Sequence, residues 1–290
     1  MATMNDSRVN SSCASAFAQG ATARPRRSPT GGVGSPHRAH RTLAVCLVAV
    51  ALAVAVSSPA LAQNWPERVH ISVNGAFQTT TNDFSDRFEF ERNVETGSTE
   101  VDYPVQGGFV FDAGGGYRLW KNLAAGVAVS YFTRSDSAST TSSFPHPFFF
   151  NQPREVAGDA AGVTRTETAV HVQAMYLVNP GGPGGRLRVV LSGGPSFFTV
   201  EQDVVTEVTI TETFPYDTTA FASAQTSKEK GSAPAFNVGA DVMWMFNRRL
   251  GVGGLVRFAR TSVDLDAPGG RTISVDAGGV YAGGGVRILF

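Results

Sequence analysis

Residues 271–290 read RTISVDAGGVYAGGGVRILF and close the chain. Counted back from Phe290 in steps of two, Ile288, Val286, Gly284, Ala282 and Val280 form an apolar or small row. The intervening row, Leu289, Arg287, Gly285, Gly283, Tyr281 and Gly279, carries a charge and a phenol among glycines. Strict alternation marks a strand whose two faces meet different environments. Alone, it fits a half-buried strand of any soluble sheet equally well. The decision rests on the stretches upstream of it.

Seven further stretches repeat the alternation, at 69–77, 109–119, 123–131, 168–176, 187–197, 236–246 and 252–258, and nothing from Arg68 onward has the period of an amphipathic helix. Tight turns at Lys121-Asn122, at 179–185 and at 247–249 alternate with long polar connections at 80–104, 135–162 and 207–232 and a shorter one at 264–270. About eight strands with connections alternately short and long predict an all-β fold: a closed, antiparallel, up-and-down transmembrane barrel. The long loops face the cell exterior and the short turns face the periplasm. The polar, β-branched run 204–214 is expected to project beyond the membrane, to pair with 84–91 and to offer an edge for strand addition.

Which row faces out is a separate question, because a lipocalin-like barrel would turn its apolar row inward around a ligand. Aromatic residues decide for the membrane arrangement. Tyr117, Trp120, Tyr176, Trp244, Phe246 and Phe290 lie near the short turns, and Tyr131 and Phe258, with Phe77, Phe109 and Phe197, lie towards the long loops. Two aromatic girdles around an aliphatic band match the headgroup levels of a bilayer. The other row is mostly Gly, Ala and Ser with isolated polar groups: Asp112, Arg118, Glu167, His171, Gln173, Arg188, Asp241, Arg257, Arg287 and Asp276. Eight strands leave room inside for side chains and little else, so these groups are expected to plug the lumen as pairs. Folding at 247–249 sets Asp241 diagonally across from Arg257, within pairing reach.

The front of the chain is of another kind. An Arg- and Ser-rich stretch precedes an apolar run at 43–56, then Ser57-Ser58-Pro59 and Ala60-Leu61-Ala62. That is the order of a secretory signal peptide with a long n-region, covering 1–62 and cleaved after Ala62, which leaves 63–290 as the barrel. Taking the six Arg and single Asp of 1–62 from the 24 basic and 24 acidic residues leaves 18 and 23, a net charge of −5 with His neutral. Nucleic acid is therefore not the expected partner. Both cysteines, Cys13 and Cys46, fall in the leader, so the remaining chain has neither a disulfide nor a thiolate metal site.

With its strand–turn rhythm and terminal Phe290, the chain from Val69 to Phe290 resembles the small bacterial outer-membrane β-barrels of the OmpA/OmpX transmembrane type. It departs from OmpA in having no peptidoglycan-binding domain after the barrel. The resemblance implies a bacterial outer-membrane location, contact with outer-membrane lipid and a role for Phe290 in the signal read by the barrel insertion machinery during assembly. Enzymes occur on this architecture, among them lipid A deacylases and palmitoyltransferases. Such a site needs a His–Ser pair with an orienting carboxylate. The candidates here are His70 and His171, both on the inward row, and His146 in a Pro-flanked loop, and no lipid-facing pair is visible. No cluster of ligands has metal spacing, and the glycine runs 114–116 and 283–285 lie inside strands, so neither a metal nor a cofactor is expected. The expectation is a monomeric, non-enzymatic barrel with a structural or cell-surface interaction role, meeting any extracellular partner through its long loops. A narrow channel and a lipid A-modifying enzyme are the alternatives.

Overall fold

The computed structural model describes residues 67–180, 182 and 184–290. The leader expected at 1–62 lies outside the described residues. Ten strands run in chain order: β1 Val69–Gln78, β2 Phe84–Arg92, β3 Glu95–Tyr103, β4 Phe109–Trp120, β5 Leu123–Phe144, β6 Arg154–Val178, β7 Leu187–Glu212, β8 Thr219–Met245, β9 Leu250–Ala267 and β10 Arg271–Leu289. All pairings are antiparallel, and eight strands, β1 and β4 to β10, close a ring through the β1–β10 and β5–β6 ladders. Closure leaves no free edge inside a bilayer, where an unpaired backbone group would have no water to bond. The carboxyl-terminal strand is the seam: Val73 faces Val286 and Ile71 faces Ile288, while Phe290 exchanges backbone hydrogen bonds with Val69.

The wall shows the expected two faces at the short-turn end. Val127, Val129, Val172, Val242, Val252, Val256 and Val286 are exposed on the outside, and Asp112, His171, Arg257 and Arg287 are buried inside. An apolar belt on the outside of a closed ring is a bilayer-facing surface. The protein is a closed, eight-stranded antiparallel β-barrel with an apolar, membrane-type outer wall.

Towards the long-loop end the structure corrects the expectation. The connections at 135–162, 207–232 and 264–270 are mostly strand: β5 runs on to Phe144, β6 begins at Arg154, β7 reaches Glu212, β8 begins at Thr219, and only Pro268–Gly270 turns β9 into β10. The charged segment after β1 is also not loop but the hairpin β2–β3, whose β3 takes the place of β4 beside β5 (Ser98–Asp102 against Ser139–Ser143). The expected pairing of 204–214 with 84–91 is not made, since β2 pairs with β3 and β7 with β8. The polar composition of these segments, which reads as loop in the sequence, belongs to strands whose two faces have changed solvents.

On β9, Val252, Val256 and Phe258 face out, and so do Arg260, Ser262, Asp264 and Asp266 above them. Facing in are Arg257 and, higher up, Val263, Leu265 and Ala267. The strand keeps its parity while its polarity inverts near Ala259. Strand β10 does the same, with Ile273, Val275 and Ala277 facing in and Thr272 and Ser274 out, whereas β6 shifts parity at a bulge, turning Val156 and Ala160 inward above it and Val163 and Arg165 below. The extracellular half thereby gains an apolar core of its own, with Val101, Phe144, Val156, Val200, Val204, Val263, Leu265 and Val275 at its centre and Phe84, Phe88 and Phe90 of β2 packed against it. Three ladder groups enclose this core. The β6–β7 ladder stops at Arg165–Gln202 and the β8–β9 ladder at Phe236–Arg260, and no ladder joins β2 to β10. Side chains bridge that last gap: Arg271 of β10 pairs with Asp86 at 2.5 Å and lies 4.6 Å from the Phe88 ring centre.

Candidate functional site

Side chains fill the membrane-spanning lumen in layers. The floor, at the short-turn end, is apolar: Met175, Leu177, Val190, Met243, Met245 and Leu289 meet there. Arg188 pairs with Glu67 at 3.1 Å beneath it. Arg118, half-buried, lines the mouth beside Glu67 and His70, around a cavity of about 10 Å³. A volume of that size holds one water at most.

Above the floor Arg287, with no exposed surface, grips Asp241. Its Nε lies 3.0 and 2.9 Å from the two carboxylate oxygens and its Nη2 2.8 Å from one of them. A Cβ on Gly253 would come within 3.0 Å of that guanidinium, and one on Gly285 within 1.8 Å of the Val73 carbonyl oxygen. These glycines let the guanidinium and the neighbouring backbone approach closely.

The next layer is a continuous hydrogen-bonded chain across the barrel. Asp112 accepts from Asn74 (3.0 Å) and Arg257 (2.5 Å), and Arg257 also donates to the Tyr281 hydroxyl (2.8 Å). That hydroxyl lies 3.3 Å from Nε2 of His171, which Ser130 Oγ also approaches to 3.0 Å. Nδ1 of His171 meets Ser196 Oγ at 2.7 Å. Ser196 accepts in turn from Asn237 (2.8 Å), whose Oδ1 accepts from Gln173 (2.9 Å). At the upper neck, Glu167 accepts from Arg165 (2.7 Å) and from the Gly278 N–H (2.8 Å), while Arg165 also donates to the Asp276 carbonyl.

Two site expectations change. Asp241 and Arg257 are diagonal neighbours, as the turn at 247–249 requires, yet they do not pair. Asp241 takes Arg287, two strands along the ring, and Arg257 takes Asp112, three strands along, because in so narrow a lumen an Arg reaches past the adjacent strand. Asp276 does not point inward. It stands on the outward row of β10 and pairs with Arg260 on the outer surface at 2.6 Å.

The expected interface aromatics all lie on the outside. Tyr117, Trp120, Tyr176, Trp244, Phe246 and Phe290 ring the short-turn end, and Tyr131 and Phe258 stand higher on the wall. Sequence reasoning missed Ser130, Ser196, Asn74, Asn237 and Tyr281 as members of the lumen chain. The available signal was parity, since each occupies the inward row of its strand.

The Ser130–His171–Ser196 contact brings together a hydroxyl and an imidazole that no sequence spacing announces. Both ring nitrogens meet hydroxyls and no carboxylate orients the ring, which has no exposed surface. With both nitrogens in contact with hydroxyls, the imidazole ties β5, β6 and β7 together inside the lumen. Among the described residues no three His, Cys, Asp or Glu side chains are placed to hold a metal.

In the extracellular half the one buried phenol is structural. Thr206 is skipped in the β7–β8 register, and the N–H of the preceding Val205 turns inward to donate to the Tyr103 hydroxyl at 2.8 Å. Burial is the largest influence on that phenol and raises its pKa to about 12, with the nearby Asp86 acting in the same direction and the Val205 hydrogen bond and Arg271 opposing.

No protein-family model matches the chain, and neither does any curated protein sequence. Solved barrels do match. Neisserial surface protein A is 11% identical over 77% of this chain and 97% of its own, with a TM-score of 0.40. Ail, the attachment invasion locus protein of Yersinia pestis, in complex with the heparin analogue sucrose octasulfate, is 11% identical over 76% and 99%, with a TM-score of 0.34. The outer-membrane protease OmpT of Escherichia coli is 6% identical over 78% and 97%, with a TM-score of 0.42. The fold assignment rests on ring closure and the two faces of the wall, not on these likenesses.

Proposed function

We propose that the protein is a non-conducting, non-enzymatic membrane anchor that carries a folded interaction module on the cell surface. The observation that carries this reading is the polarity inversion along the long strands. A barrel built only to span would end its strands at the upper girdle, whereas these continue into a half with its own apolar core. Within the membrane, the paired charges and the apolar floor act as a plug. The exposed aromatics named above act as headgroup anchors, and the chain works as a monomer. Phe290 acts as the signal to the insertion machinery, and residues 1–62 are removed on export, so that the exported chain begins at Gln63.

Planar-bilayer recording on the refolded barrel tests the plug, with no unitary conductance expected; reproducible channels would establish the narrow-channel alternative. Protease treatment of intact cells tests the module. Cuts should fall at the tips, near 93–94, 146–152, 213–218 and 268–270, and spare the strands between them. Cleavage throughout 135–162 would show those segments to be loops.

A further inference from the structure

The top of the extracellular half is capped by aromatic side chains, of which the phenylalanines stay more than half exposed, although the Phe149 ring lies 4.9 Å from the buried His146 ring beneath it. Phe148, Phe149 and Phe150 follow β5, and Phe214 and Tyr216 follow β7. Phe148 and Phe214 each lie against the Tyr216 ring, at 5.6 and 6.1 Å between centres. Beside them the β2–β3 turn holds Val94 at a φ of 66°, where a β-branched residue is strained, with 96% of its surface exposed. A turn selected for solvent would carry Gly or Asn there.

The base beneath these residues is built, not loose. Buried Arg154 donates to Glu212 (2.7 Å), to the Tyr216 carbonyl (2.8 Å) and to the Pro145 carbonyl (3.0 Å). Glu212 also holds Arg92 at 2.5 Å, just below the turn of Val94. His146, itself buried, accepts from the Phe148 and Phe149 N–H groups through Nδ1. The three tips are thus stapled together while their apolar side chains stand in water.

We propose that this apex docks on a second lipid surface, a bilayer with zwitterionic choline headgroups. Three features favour that occupant. Exposures of 83% for Phe214 and 96% for Val94 make these side chains knobs, suited to entering a soft interface and not to lining a pocket. Aromatic rings settle at the headgroup level of bilayers and attract quaternary ammonium groups through their faces. The exposed charges around them, Glu91, Glu155 and Asp217, are acidic, which favours a choline and repels anionic lipid or a sulfated polymer. The host bilayer is out of reach. The fifteen residue steps from Phe197 in the upper girdle to Glu212 span about 50 Å of strand, roughly 40 Å of height after barrel tilt.

This inference names the partner of the surface module and rests on that reading. The test uses the full exported chain in nanodiscs, mixed with phosphatidylcholine or phosphatidylglycerol vesicles and floated on a density gradient. The wild type should co-float with phosphatidylcholine at least tenfold more than with phosphatidylglycerol. Phe148→Ser with Phe149→Ser and Phe150→Ser should abolish flotation, with heat-modifiable gel migration unchanged. Glu155→Lys with Asp217→Lys should shift the preference towards phosphatidylglycerol. Equal flotation of wild type and the triple variant would overturn the proposal, as would equal binding of the wild type to both lipids or to neither. If the protein floats with neither lipid but is cut on intact cells only at its tips, the lipid partner is wrong and the surface module stands.

Discussion

Strand β9 alternates without a break from Val256 to Val263, yet its apolar row is the outward one at Val256, on the bilayer-facing wall, and the inward one at Val263, in the extracellular core. In the membrane half the apolar row faces out because the solvent is hydrocarbon, and the polar row must find partners inside. In the outer half water wets the outside, so the apolar row must turn in. One continuous ladder serves both because the backbone pairs regardless of which row carries the apolar side chains. The comparison teaches that the level of a membrane boundary can be read within a strand as the residue where hydrophobicity changes rows.

The largest expected effect lies in the lumen. Asp241→Ala leaves Arg287 charged and buried without its carboxylate, and should cost about 3–5 kcal/mol in urea unfolding of the refolded barrel. Arg287→Met in the same chain should recover much of that loss, while Arg257→Met should not. Recovery by Arg257→Met instead would restore the neighbour-strand pair and undo the cross-lumen assignment.

On the wall, Val256→Arg should cost about 2–4 kcal/mol, and Ser262→Arg, six residues on and in the same outward row, less than about 0.5 kcal/mol. Val280 stands opposite Phe258 at the upper girdle and not at the midplane, so Val280→Arg should cost less than Val256→Arg. Equal costs at Val256 and Ser262 would remove the boundary between them.

The outer half has its own weak point. Tyr103→Phe leaves the buried Val205 N–H without its acceptor and should cost about 1–3 kcal/mol, read as faster hydrogen exchange above the girdle with no change below it. The same phenol supplies a pH signature. Its folded pKa of about 12 lies above the ordinary value of 10.0, so its contribution is fully present below pH 10 and is lost as pH rises towards 12. Absorbance at the phenolate band should show this titration missing near pH 10 in wild type relative to the unfolded chain. Among the side-chain deletions the smallest effect belongs to the β2–β10 gap. Arg271→Ala removes a partly buried pair and should cost about 1 kcal/mol, loosening β2 and upper β10 alone.

The barrel was legible because each lipid-facing row is a run of Val, Ile, Leu and aromatics at strict alternation, and ring closure follows from an even strand count with short and long connections. The upper strands were hidden by their Ser, Thr and acidic residues, which resemble loop when only an outward apolar row is sought. Val263, Leu265 and Ala267 alternate as strictly as Val252, Val256 and Phe258, but in the other row. Lumen pairs were half legible: parity places Asp112, Asp241, Arg257 and Arg287 inside, whereas the cross-lumen choice of partner depends on strand stagger, which no local spacing records. The hairpin β2–β3 was missed because its Phe side chains find partners at unrelated separations, Tyr103 for Phe84, Phe144 for Phe90 and Arg271 for Phe88.

The inversion along β9 is the central claim, and an accessibility scan of that strand tests it most directly. The chain after residue 62 contains no cysteine, so single cysteines from 250 to 267 can each carry a spin label in nanodiscs. Collision with oxygen, which enriches in lipid, and with a water-soluble nickel complex then reports the surroundings of each position. The account predicts oxygen access at 252, 254, 256 and 258, nickel access at 260, 262, 264 and 266, and neither at 263, 265 and 267. Oxygen access continuing through 262 and 264, or nickel access at 263 and 265, would contradict it.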